Sequence, residues 1–126
     1  MTVMVCYGAS PVRLPGGRGG VHITRKADIG WGEKDPVRDW RNISSVGILL
    51  TAEDALALVR AYREDRDGRF EDVSGDGQEV SLEFVPWESH SLYWSKGLKR
   101  IEDDLWSDWP GGFMDEIESA AKEAMK

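Results

Sequence analysis

Cysteine is almost missing from this chain of 126 residues: Cys6 is the one thiol. No internal disulfide can form, and the chain suits a reducing compartment such as the cytoplasm. Histidine is nearly as scarce. His22 and His90 stand alone, with no Cys-x-x-Cys pair and no His-x-x-x-His spacing, so no metal and no cofactor is expected. No apolar run approaches the ~18 residues of a membrane span. The N-terminal MTVMVCYGASP has no basic residue ahead of a long apolar stretch, so it does not read as a signal peptide. Gly-x-Ser-x-Gly is absent, which removes the usual nucleophile elbow. Repeats and low-complexity linkers are missing too, and the length suits a single α+β domain over residues 1–126.

Positive charge is also in short supply. Sixteen Lys and Arg face twenty-three Asp and Glu, a net charge of −7. Residues 1–41 carry seven basic and four acidic side chains, whereas 42–126 carry nine and nineteen. The stretch 102–118 holds seven carboxylates and no Lys or Arg. Direct nucleic-acid binding, which needs a strong basic footprint, is disfavoured.

The pattern along the chain predicts a mostly antiparallel sheet of four to six strands with about three helices. Residues 2–7 read as a strand. Residues 8–20, with Pro11, Pro15 and a glycine-rich run, read as a loop. A second strand follows at 21–24, antiparallel to the first, then irregular chain over 26–42 and a buried strand at 46–50. Thr51 with Asp54 three residues on marks a helix start. Leu56, Val59 and Tyr62 supply its apolar stripe, and Gly68 is expected to stop it. Residues 69–73 and 78–85 form a hairpin in which Val80, Leu82 and Phe84 share one face. A short strand is expected near 90–94. One helix is expected on Leu98, Ile101, Leu105 and Trp109, and a closing one on Phe113, Ile117, Ala120, Ala121 and Ala124.

Two local patterns touch on ligand chemistry. Gly16 to Gly20 with Arg18 is the right composition to cradle a phosphate, but it leads into a strand rather than a helix N-terminus. Asp72-x-Ser74-x-Asp76-Gly77-x5-Glu83 resembles an EF-hand calcium loop in its oxygen spacing. It departs from that family at Glu79, where an apolar residue belongs, and at Val80 to Val85, which alternates like a strand where a helix should follow. Asp, Ser and Gly are also the ordinary residues of a hairpin turn.

What the chain does have in quantity is tryptophan, six in all. A small core cannot easily hide six indoles, each needing an outlet for its N–H, and exposed Trp is a common interface anchor. Trp106 and Trp109 sit among Asp103, Asp104 and Asp108, an aromatic pair ringed by carboxylates that suits docking onto a basic protein. A second cluster, Trp87, Tyr93 and Trp94, could stack a small ligand, with Glu88 or His90 for proton transfer. In size, acidity and aromatic content the chain resembles immunity proteins and phage-encoded inhibitors, small proteins that bind a larger, basic, nucleic-acid-processing partner. The expectation is therefore a non-enzymatic acidic binding module, the alternative a small-ligand binder or hydrolase. The tryptophans would equally serve a homodimer.

Overall fold

Two hairpin-built sheets and two helices are formed by the described residues. The computed structural model describes residues 2–30, 41–75, 77–87, 91–97, 99–100 and 112–126. Strands β1 (Thr2–Arg13), β2 (Gly19–Gly30) and β3 (Arg41–Thr51) form one antiparallel sheet in that order. Helix α1 (Ala52–Arg63) follows, then β4 (Gly68–Glu71), β5 (Val80–Val85), β6 (Ser91–Lys96) and β7 (Lys99–Arg100), a second antiparallel sheet in chain order. Helix α2 (Phe113–Ala124) closes the set. The α+β class expected from the sequence holds. The seven strands exceed the four to six expected, and two helices lie among the described residues. Of the region expected as a helix over 98–109, Lys99–Arg100 is strand and the rest, apart from these two residues, lies outside the described residues.

The first hairpin corrects the expected loop over residues 8–20. Strand β1 runs straight through Gly8 and Pro11 to Arg13, paired with β2 from Thr2↔Gly30 to Arg13↔Gly19. The turn is only Leu14 to Arg18. The Leu14 carbonyl accepts from the Gly17 N–H at 3.0 Å, and the Leu14 N–H donates to the Arg18 carbonyl at 2.8 Å. Pro15 followed by Gly16 at φ 88° is the pairing this kind of turn requires. A proline inside a strand is tolerated only where its missing N–H would face away from the neighbour. Counting alternate pairs from Leu14–Arg18 puts the even residues of β1 in hydrogen bonds with β2 and the odd ones, Pro11 included, facing outward.

Helix α1 begins as expected. The Thr51 Oγ1 accepts from the Asp54 N–H at 3.0 Å, and Glu53 and Asp54 lie in the first turn. Its end comes earlier than Gly68. Glu64 caps it, and Asp65 then turns left-handed at φ 54°. The Arg66 N–H reaches back to the Ala61 carbonyl at 2.9 Å and the Asp65 N–H to that of Tyr62, so an aspartate fills the place glycine usually holds. The buried stripe is Ala52, Ala55, Leu58, Val59 and Ala61, with Leu56 and Tyr62 half-buried on its flanks.

One core joins both sheets and both helices. Val21, Ile23, Ile48 and Leu50 from the first sheet, Leu58 and Val59 from α1, Leu82 and Phe84 from β5 and Ile117 from α2 are essentially inaccessible. Tyr62 tilts against Phe84 with ring centres 5.2 Å apart, and Tyr7 against Phe113 at 5.4 Å. The two sheets meet at the edge of β3: the Val73 N–H donates to the Leu49 carbonyl at 2.8 Å, and the Leu49 N–H donates to the Asp72 carboxylate at 2.7 Å.

Gly19, at the start of β2, touches the C-terminal end of α2. A Cβ there would lie 2.2 Å from the Ala124 carbonyl oxygen, whereas one at Gly112 meets nothing within 4 Å. Gly19→Ala must push α2 off the sheet, and urea unfolding should show a loss of about 1–3 kcal/mol. Gly112→Ala, at helical backbone angles, should be neutral or stabilising by up to about 1 kcal/mol.

Candidate functional site

Helix α2 owes its place to small residues. Phe113, Ile117, Ala120, Ala121 and Ala124 form its buried stripe, and the three alanines let it lie close to the hairpin. Phe113 packs at Tyr7, Ala124 packs at Gly19, and the Arg13 guanidinium donates to the Lys126 carbonyl at 3.2 Å. Helix α2 therefore runs beside β1 in the same direction.

Among the described residues, β1 is the outermost strand of its sheet. Between its outer edge and α2 lies an open groove of about 660 Å³. Gly8, Ala9 and Pro11 form one wall, and Asp115, Glu116 and Glu123 stand on the other with Ser119 and Ala120 between them. Among the described residues, no lysine or arginine lines it. A concave surface with carboxylates on one side and strand backbone on the other can hold positive charge and hydrogen-bonding groups together.

These carboxylates are not equally committed. Arg63 on α1 spans to α2, donating to Glu118 at 2.6 Å and to Asp115 at 2.8 Å. Lys122 approaches Glu118 at 3.6 Å, and Lys126 approaches Glu123 at 3.2 Å. Glu116 has no cationic partner among the described residues. The hydrogen bond from Arg63 holds the Glu118 carboxyl below its ordinary value against a smaller opposing effect of burial, and the Glu118 hydrogen bond raises the Arg63 guanidinium in turn.

The calcium-like pattern is put to other uses. Asp72 accepts from the Leu49 N–H, and also from the Ser74 N–H at 3.1 Å and the Ser74 hydroxyl. Glu83, the twelfth position, lies on β5 with Arg69 3.7 Å away. Asp76 lies outside the described residues. Among the described residues no three His, Cys, Asp or Glu side chains are grouped to hold a metal.

The aromatic wall of Trp87, Tyr93 and Trp94 does not assemble on one surface. Trp94 is 4 % exposed and belongs to the core, opposite Leu82. Tyr93, the next residue along β6, points to the other face of the sheet, opposite Glu83. Trp87 stands at the turn after β5 and is 70 % exposed. His22 is exposed on the solvent face of β2, where Gly47 leaves room for its ring. Asp103, Asp104, Trp106, Asp108 and Trp109, with Glu88 and His90, lie outside the described residues. The groove itself escaped the sequence reading, although the spacing of Glu116, Ser119 and Glu123 down one flank of α2 was available to it.

Comparison with protein families, characterised proteins and solved structures returned no match. No helix among the described residues is long and apolar enough to cross a membrane.

The Arg63 bridge generates a pH dependence. Because the folded-state value of Glu118 is lowered, its stabilisation is fully present above the unfolded value of about 4.3 and fades as the pH falls below it. Wild type should melt above Arg63→Ala at pH 7, and the gap should shrink on acidification toward pH ~3. A gap that stays constant across that window would mean that the bridge does not carry the effect.

Proposed function

We propose that the protein is a small acidic protein-binding module that docks on a larger basic partner, of the kind that inhibits a nucleic-acid-processing enzyme. The observation that carries this reading is the groove beside β1, in which every ionisable wall residue of α2 is a carboxylate. On a chain of net charge −7 such a surface attracts a basic partner over distance and selects its orientation on contact. Trp87, largely exposed, adds an apolar anchor of the type that carries binding energy at interfaces. The acid-rich stretch with Asp103, Asp104, Trp106, Asp108 and Trp109 immediately precedes α2 in the chain, and the proposed contact includes it. The alternative of a ligand-stacking wall loses support from the burial of Trp94.

Affinity capture at low and moderate salt, with wild type beside Trp106→Ala/Asp104→Lys, tests the reading. Wild type should retain one basic protein that the variant loses, with the variant's melting temperature unchanged. If wild type retains no basic protein at either salt concentration, the reading fails.

A further inference from the structure

We infer that the outer edge of β1 is a strand-docking site. It would receive an extended segment of the partner whose basic residues alternate, pairing with β1 by backbone hydrogen bonds while its lysines or arginines meet Glu116 and Glu123. This inference rests on the proposed binding role and names the part of the partner that role would engage.

Three observations converge on it. First, β1 is twelve residues long and pairs on one side only among the described residues. The alternation fixed at the Leu14–Arg18 turn aims the N–H and C=O of its odd positions outward. Such a row is a template for an added strand. Pro11, which has no N–H, removes one donor from the template, so an added strand bonds most fully at Ala9 and the residues before it and runs on beside Pro11 toward Glu123. Second, the groove provides space beside Ala9 on the helix side. A strand added at the usual spacing of about 4.8 Å would send every second side chain toward α2. Third, the flank it would meet is acidic, and Glu116 has no cationic partner among the described residues. Glu116 and Glu123 are two helical turns apart, about 10 Å, within reach of two long basic side chains at alternate strand positions.

Charge also discriminates between occupants. A second copy pairing antiparallel through β1 would form a two-fold interface and bring the acidic flanks of two α2 helices toward one another. A basic segment meets the opposite sign.

The probe is a short fluorescent peptide of alternating lysine and threonine, titrated at low salt and followed by anisotropy. It is compared with two analogues N-methylated at every second residue, one in each frame. Methylation removes backbone donors but leaves the charge intact, so one frame should weaken binding about tenfold or more while the other spares it. Glu116→Lys with Glu123→Lys should also weaken the parent peptide, whereas Glu64→Lys with Glu71→Lys, the same change of charge outside the groove, should not. Equal binding of both methylated frames would show that charge alone holds the peptide, overturning the strand inference while leaving the binding role standing. No binding by the parent peptide would overturn it too, and the capture experiment then judges the binding role separately. A stable dimer in sedimentation, dissociated by Ala9→Pro, would assign the edge to a second copy instead.

Discussion

Everything in this molecule is arranged around the need to cover one apolar face with one helix. The inward faces of β2 and β3 carry Val21, Ile23, Ile48 and Leu50, and α1 shields only part of them. Helix α2 finishes the task by packing on the first hairpin and on α1 at once, with an alanine-rich stripe that permits close approach at Gly19. Once that stripe faces inward, 3.6-residue periodicity leaves Glu116, Ser119 and Glu123 no choice but the flank along β1. The acidic groove is thus a consequence of packing. The Arg63 bridge to Asp115 and Glu118 holds the same helix against α1 from its other side.

Much of the fold was legible in the residues, for reasons that can be named. Thr51 and Asp54 announced α1, the alternation of Val80, Leu82 and Phe84 announced β5, and the spacing of Phe113, Ile117, Ala121 and Ala124 announced α2. Each signal is local, with the pattern and the capping chemistry inside one element. The misreadings came where tertiary context overrides a local rule. Pro11 and Gly8 looked like breakers because a proline is excluded only from the paired side of a strand, and which side is paired depends on β2. Gly68 looked like the helix stop because glycine usually fills the left-handed position, but Asp65 takes it here. Trp94 looked available because parity along β6 is set by its register with Leu82, which the sequence of residues 87–94 does not contain.

The proposed binding surface was less legible than the fold for a related reason. The reading from sequence fastened on the densest acid-aromatic cluster, at Asp103 to Trp109. The groove is assembled from β1 and α2, about a hundred residues apart in the chain, and no window of sequence contains both walls. Its carboxylates are individually ordinary. What distinguishes them is the strand edge beside them, and only the three-dimensional arrangement places the two together. The EF-hand-like spacing is the converse case: a conspicuous local pattern whose first carboxylate is engaged in joining β3 to the residues after β4.

Strand docking requires β1 to be open along its outer edge. Backbone amide hydrogen exchange of the free protein, resolved residue by residue, measures this. An open edge gives alternation, with the amides of Gly8, Ser10 and Val12 protected by β2 and those of Ala9 and Arg13 exchanging rapidly. Uniform protection through this stretch would mean that the edge is already paired, and would contradict the account.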